Sequence, residues 1–285
     1  MIPARPSQLP IAITMGDPAG IGPEIIAKAF RDDPTVTAGC FVVGDMATLR
    51  RASAVVSGPG RPLIPVAGID APQEAYATPP RCIPVLQRPQ RLGPVAVGRV
   101  SAEAGQAAAD CVVWAAQAAL RKEIGAIVTA PLHKEALAAA GISYPGHTEL
   151  LQAQAAAFLG KSASEVPVRM MLANDELRTV LLSIHVALRD AIDAVTPENL
   201  LETLRITHEF VGALLQRAPR IGVAGLNPHA GEGGLFGREE IDTIAPTIET
   251  ARRAGMDVRG PFAPDTVFMR ARAAAGEPGE FDVGI

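Results

Sequence analysis

The chain of 285 residues has few aromatic side chains, few cysteines and no long apolar segment. Aromatic residues make up 4% of it, so the core has to be built mainly from Ala, Val, Leu and Ile. Cys40, Cys82 and Cys111 are too widely spaced for a disulfide framework or a zinc motif, and we expect buried free thiols. The sequence has no run of roughly 20 apolar residues that would predict a membrane helix, and its first ten residues lack the apolar core of a signal peptide. We therefore expect a cytoplasmic protein.

Positive charge is also in short supply, with 26 Lys and Arg against 30 Asp and Glu and a formal net charge of −4. The sequence has no run of basic residues, so it gives no sign of a positively charged surface that would bind nucleic acid or an anionic membrane. The length allows one large domain or two intimately joined ones, with a core that needs no disulfide or metal to fold.

Short apolar runs alternate with helical segments, which predicts an α/β fold. The runs are continuous, as is typical of strands covered by helices on both faces. The predicted strands are 11–15, 40–43, 63–66, 82–86, 125–129, 168–172, 179–184, 220–226 and 257–259. The predicted helices are 23–30, 46–55, 101–121, 197–216 and 238–254, with further helices beginning after Pro131 and near His147.

Histidines stand where ligands bind in such folds, beyond the carboxyl ends of strands. His147 and Thr148 follow a Pro-Gly turn at a helix start, where free N–H groups favour an anion; alternatively, Thr148 only caps the helix. His185 ends an apolar strand and is either a cleft residue or a core histidine. His229 lies in the glycine-rich segment 227–237, which is either a ligand loop or an ordinary surface loop.

Other polar residues give weaker signals. His208 is interpreted as a helix-face residue without chemistry, and Lys134, beside His133, is a phosphate contact or simply solvated. The spacings between His147, His185 and His229 match no local zinc motif, so the fold would have to bring such ligands together. The glycine-rich segment 15–24 is neither a Rossmann fingerprint nor a P-loop.

Five sequence blocks, in order, point further than any single motif. Residues 13–24 read ITMGDPAGIGPE, residues 146–149 GHTE, residues 185–190 HVALRD, residues 225–234 GLNPHAGEGG and residues 260–268 GPFAPDTVF. Together they resemble the blocks of the 4-hydroxythreonine-4-phosphate dehydrogenase family, which serves pyridoxal phosphate biosynthesis.

The resemblance implies an α/β fold similar to isocitrate and isopropylmalate dehydrogenases, with two intimately joined domains, 1–128 and 129–285. It implies NAD-dependent oxidation of a secondary alcohol on a small phosphorylated acid, after which the β-keto acid loses carbon dioxide. By resemblance, His147 and Thr148 bind substrate. His185 and His229 would be ligands of a divalent metal such as Zn, Mg or Co.

The resemblance further implies a homodimer with the site between subunits. Asp265 is the candidate catalytic carboxylate, which would orient a ligand or shuttle a proton. The family pattern continues beyond residue 283 with a third metal histidine, so we expect a chain truncated at its C-terminus, lacking that ligand and part of the first domain.

The sequence leaves the substrate and the activity open. The alternative substrates are 4-phospho-D-threonate and 4-phospho-D-erythronate, which carry a hydroxyl instead of the amine. A catalytically silent paralogue is an alternative of another class. A metal hydrolase is disfavoured because the sequence has no H-E-x-x-H motif.

Overall fold

The computed structural model describes residues 9–88, 92–273 and 277–285. Contacts between Cα atoms divide the chain into two compact units, one ending at Pro167 and one beginning at Val168. The sequence-based assignment places the boundary after residue 128 instead. The difference arises because the strand at residues 126–129 pairs within the first sheet, and the two helices that follow also belong to the first unit.

A parallel sheet of five strands forms the centre of the first unit. The strands are β1 (Ile11–Thr14), β2 (Cys40–Gly44), β3 (Val66–Ile69), β4 (Ile83–Gln87) and β5 (Ala126–Thr129). They lie in the order β3-β4-β2-β1-β5, and all these pairings are parallel. β3 begins at Val66, where its predicted range ends. Pro65 has no amide hydrogen and contributes only its carbonyl, which accepts from the Ile83 amide.

Within the described part of the first unit there are five α-helices, and several begin where the sequence predicts. They are α1 (Gly22–Asp32), α2 (Met46–Ser57), α3 (Ala102–Leu120), α4 (Lys134–Ala139) and α5 (His147–Leu159). The Asp45 carboxylate accepts a hydrogen bond from the Thr48 amide at 2.8 Å and caps α2. Ser101 caps α3 through the Ala104 amide. Pro23 occupies the first turn of α1, where its missing amide hydrogen leaves no bond unmade.

Hydrophobic side chains cover both faces of this sheet, as its continuous apolar strands predict. Successive residues of a strand point to opposite faces. Ile13 and Val42 pack in the cluster that contains α1 and α2, whereas Ala12 and Phe41 pack against α3. The Trp114 ring meets Phe41 edge-on, with centroids 6.0 Å apart. The three cysteines are buried and free, as predicted.

The second unit has a mixed sheet of five strands. They are β6 (Met170–Ala173), β7 (Arg178–Leu181), β8 (Arg220–Ala224), β9 (Asp257–Phe262) and β10 (Val283–Gly284). The order is β6-β7-β10-β8-β9. β6 runs antiparallel to β7, and the remaining pairings are parallel. The carboxyl ends of β7, β8, β9 and β10 therefore share one edge of this sheet.

Four α-helices accompany this sheet in residues 168–273 and 277–285: α6 (Leu188–Asp193), α7 (Pro197–Leu215), α8 (Ala245–Arg253) and α9 (Pro264–Ala271). Thr196 caps α7 through the Asn199 amide, as the Thr-Pro pair predicts. The helix predicted at 238–254 is instead a π-helical segment, Glu240–Ile244, continued by α8. α6 and α9 are absent from the sequence-based prediction. Among the described residues, no helix is both long and apolar enough to cross a bilayer.

Candidate active site

Three predicted site residues follow parallel strands of the second sheet at the same edge. His185 comes four residues after β7 ends, His229 lies in the loop after β8, and Asp265 is in the first turn of α9, directly after β9. All three side chains are exposed. Strand topology thus brings residues that are far apart in sequence to one edge, where ligands of α/β folds bind.

Both histidines occupy left-handed backbone conformations, with φ of 55° at His185 and 53° at His229. For a residue other than glycine this conformation costs roughly 1–2 kcal/mol and is concentrated at functional sites. Favourable contacts in the surrounding structure must offset this unfavourable backbone energy. The two loops are therefore held in shapes that their own residues do not favour.

The loop after β8 contains six consecutive residues with positive φ, from His229 to Gly234. We call residues 229–233 the left-handed turn. His229, Ala230 and Glu232 are not glycine, so the turn stores roughly 3–6 kcal/mol of backbone strain on the per-residue scale above. The sequence predicts a glycine-rich loop here, and the structure shows a defined turn within it.

The buried carboxylate of Glu240 holds the left-handed turn from inside. Its Oε1 accepts a hydrogen bond from the Asn227 amide at 2.7 Å, and its Oε2 accepts one from Asn227 Nδ2 at 3.0 Å. Gly231 has a φ of 78°, and a Cβ atom on it would lie 2.7 Å from Oε2, so a larger residue there would be strained and would displace the carboxylate. Burial alone would raise the pKa of Glu240. The hydrogen bonds outweigh burial and hold that pKa below its usual range.

Sequence reasoning missed Glu240 and Asn227 as residues of the site. Asn227 also donates from Nδ2 to the carboxylate of Glu239 at 2.6 Å. The side-chain amide of Asn227 thus donates hydrogen bonds to both Glu239 and Glu240. A pair of glutamates after a glycine-rich loop usually indicates a solvated helix start. The one available signal was Asn-Pro before the histidine, which favours a fixed turn.

The donor chemistry at this edge suits a divalent cation, because imidazole is a ligand for zinc and similar metals. His185 and His229 supply two such donors at the ends of strands that flank β10. Within the described residues, no cluster of three or more His, Cys, Asp and Glu side chains is close enough to hold a metal ion. The two histidines thus fit part of a metal site.

An apolar cavity of about 270 Å³ opens at the same edge of the second sheet. It is lined mainly by aliphatic side chains, including Leu188, Leu226 and Ile285, together with Ser183 and Gly225. Such a lining offers hydrocarbon or ring contacts and little recognition of charge.

His147 and Thr148 begin α5 in the first unit, and the helix cap is Gly146. No described side chain caps this helix end, so the alternative role of Thr148 as a cap is not seen. The Nε2 atom of His147 is buried and has no hydrogen-bond partner among the described residues. Burial lowers the pKa of His147, and an interaction with the Ala130 backbone opposes that shift only in part. A neutral imidazole with an unused nitrogen thus lies at a helix N-terminus.

The glycine-rich segment 15–24 closes the carboxyl end of the first sheet. The Asp17 amide donates to the Pro131 carbonyl at 3.0 Å, and Asp17 Oδ1 accepts from the Ala19 amide at 2.7 Å. Gly16 has a φ of 73° and lies against Ala130, the residue that also interacts with His147. The segment therefore ties β1 to β5 beside His147.

The other two histidines belong to helices. His133 is the N-cap residue of α4 and is exposed, as is Lys134. His208 lies within α7, and its Nδ1 is also buried without a hydrogen-bond partner among the described residues.

Comparison with known proteins identifies the class. The chain is 48% identical over 276 residues to a 4-hydroxythreonine-4-phosphate dehydrogenase from Beijerinckia indica, covering 97% of this chain and 76% of that protein. It is 44% identical over 262 residues to a D-threonate 4-phosphate dehydrogenase from Salmonella typhimurium, covering 92% and 76%. These relatives are dehydrogenases, which confirms the prediction of a dehydrogenase.

The family follows from two further matches. The crystal structure of 4-hydroxythreonine-4-phosphate dehydrogenase from Klebsiella pneumoniae superposes with a TM-score of 0.85 at 38% identity, covering 99% of this chain and 80% of that one. The family described as pyridoxal phosphate biosynthetic protein PdxA matches residues 37–283. The chain belongs to this family, and both the family and the α/β fold predicted from the sequence are confirmed.

Proposed function

We propose that the chain oxidises the secondary alcohol of 4-phosphohydroxy-L-threonine, with NAD as electron acceptor and with help from a divalent metal ion. The carbon that carries the hydroxyl loses a hydride, the hydroxyl loses its proton, and the resulting β-keto acid releases carbon dioxide. The family match and the 48% identical relative of that name support this substrate.

The observation that carries the proposal is the unused, buried Nε2 of His147 at the start of α5. A buried polar atom without a partner costs free energy, and a substrate atom bound there would recover it. The amide hydrogens at the helix N-terminus favour a negative group beside it. We assign substrate binding to His147 and Thr148 on this basis, because the substrate carries a phosphate and a carboxylate.

We assign His185 and His229 to a divalent metal, Zn, Mg or Co, because both offer imidazoles at the ligand edge of the second sheet. When bound, such an ion polarises the alcohol and stabilises the negative charge that follows loss of carbon dioxide. Asp265, exposed in the first turn of α9, is the proposed carboxylate that orients a ligand or moves a proton. NAD supplies the hydride acceptor.

Three broader assignments complete the proposal. The arrangement of the family would be similar to that of isocitrate and isopropylmalate dehydrogenases, with the domain assignment 1–128 and 129–285. The protein would act in the cytoplasm, in keeping with its buried free thiols. It would form a homodimer, which the exposed apolar side chains of Leu188, Leu235 and Met269 support.

A second substrate class has specific support from the Salmonella relative, which is named for D-threonate 4-phosphate. 4-Phospho-D-threonate and 4-phospho-D-erythronate carry a hydroxyl where the first substrate carries an amine. A pocket built to hydrogen-bond one of these groups rejects the other strongly, because a buried polar atom is left unpaired.

The test is NADH formation by the purified chain with each of the three phosphorylated acids. His147→Gln should raise KM at least tenfold, whereas the matched control His208→Gln, which removes a similarly unpartnered ring nitrogen from a helix outside the site, should leave KM unchanged. Equal rates on the amine and hydroxyl substrates would contradict both substrate assignments. A folded chain that binds neither zinc nor NAD in calorimetry would favour the catalytically silent paralogue.

A further inference from the structure

The left-handed turn presents His229 in a backbone shape that its own residues do not favour. Its non-glycine members, His229, Ala230 and Glu232, have φ between 43° and 53°. Such conformations persist only where the surrounding structure fixes them. Contacts from outside the turn must therefore decide where the imidazole points.

Glu240 is the residue placed to make those contacts. Its side chain is 2% exposed, and both carboxylate oxygens accept hydrogen bonds from Asn227, the residue that enters the turn. The same oxygens lie against the backbone on both sides, since Cβ atoms on Gly225 and Gly231 would approach them to 3.0 Å and 2.7 Å. One carboxylate thus braces the end of β8, the entry to the turn and the middle of the turn.

We propose that Glu240 is a positioning residue for His229, which acts by fixing the left-handed turn and so the direction of the imidazole. The proposal deepens the proposed function, because it gives His229 the metal-binding role assigned above. Glu240 itself needs no contact with metal or substrate. Groups that orient a metal ligand typically change metal affinity by about 10–100-fold when they are altered.

The conservative variant Glu240→Gln tests the proposal, since it keeps one acceptor but turns an N–H₂ group toward a donor. With only five histidines in the chain, the ring resonances can be assigned by NMR using His229→Gln. Glu240→Gln should shift the His229 ring signals and leave those of His147 in place. Asp242→Asn is the matched control, since Asp242 lies on the same π-helical segment but pairs outward with Arg238.

Metal affinity supplies the second readout, measured by calorimetry with Zn²⁺. Glu240→Gln should weaken binding at least tenfold, and the double variant with His229→Gln should bind no more weakly than His229→Gln alone. Should Glu240→Gln fail to fold, Asn227→Ala keeps the backbone hydrogen bond to Glu240 but removes the side-chain bonds to Glu240 and Glu239, and it should shift the His229 signals in the same direction.

The two ideas fail separately. Unchanged His229 ring signals in a folded Glu240→Gln variant would overturn the positioning role. A wild-type chain that binds no Zn²⁺ would overturn the metal role of His229, while the NMR shift would still decide for or against Glu240.

Discussion

Replacing Gly105 by alanine sets two effects of opposite sign against each other. Gly105 lies within α3, where alanine is favoured over glycine by about 1 kcal/mol. However, a Cβ atom at this position would overlap the carbonyl group of Ala136 and lie 2.8 Å from the Leu137 amide, both in α4. These are backbone atoms, so no side-chain rotation can relieve the overlap, and α4 has to move away.

Moving α4 disturbs a buried cluster, and we therefore expect the Gly105→Ala protein to be less stable than the wild type. Leu137 is 1% exposed and packs with Val112 of α3 and Leu150 of α5. Overpacking of this kind costs about 1–3 kcal/mol, and rigid backbone favours the upper end. After the propensity gain is subtracted, we expect Gly105→Ala to lower the free energy of unfolding by about 2 kcal/mol, which lowers Tm by about 3 °C at this chain size. Because α5 carries His147, substrate KM should rise as well.

Gly212 provides the matched control, because it also lies inside a helix, α7, and has a negative φ. Its nearest neighbours would be 3.5 Å from a Cβ atom, which is ordinary contact. Gly212→Ala should therefore stabilise by up to about 1 kcal/mol. Thermal unfolding of both variants, followed by circular dichroism, gives the comparison. A Gly105→Ala protein as stable as the wild type would refute the reasoning from packing.

Two further outcomes concern titratable groups. Burial opposes ionisation of Asp282, but its hydrogen bonds with Arg217 and Arg220 outweigh burial and hold the pKa of Asp282 well below its usual range. The ionised carboxylate therefore stabilises the folded protein above about pH 4. This contribution to the free energy of unfolding is lost as the pH falls toward the pKa of Asp282 in the folded protein. Asp282→Asn should lower the free energy of unfolding by about 2 kcal/mol at pH 7, a figure reduced to allow for the half-exposed side chain of Arg217. The difference in denaturant midpoint between wild type and variant should shrink on acidification, and a difference that stays constant with pH would contradict this. Burial raises the pKa of Cys111 to about 12, so a thiol reagent at pH 8 should modify it only after unfolding, and rapid labelling of the folded chain would count against that burial.

Much of the fold was predictable because its strands are continuous apolar runs and its helices have conventional caps. Asp45, Ser101 and Thr196 each stand where a side chain satisfies the first amides of a helix. α9 was missed because Phe262 to Pro264 resembles the end of a strand, and α6 because six mostly exposed residues carry little periodicity. Local pattern fixes such elements poorly, since tertiary contacts decide them.

The candidate site was predictable only as a set of residues. Strand ends placed His185, His229 and Asp265 at one sheet edge, which alternating strands and helices indicate. Neither the left-handed turn nor its contact with Glu240 could be predicted. Glu240 follows the turn at the beginning of a helix, where the sequence is equally typical of a solvent-exposed first helical turn. A buried carboxylate and a solvated one have the same residue type, and only packing separates them.

Most surface loops accept insertions and substitutions freely, but the segment around His229 should not. The carboxylate of Glu240, thirteen residues after Asn227 in sequence, fills the interior of this segment. The residues that are acceptable at one position of the segment therefore depend on the residues at the other positions. Saturation libraries that vary these positions singly should yield almost only damaged proteins. Functional replacements should emerge only in combinations, and a shortened or lengthened loop should require a rebuilt helix start.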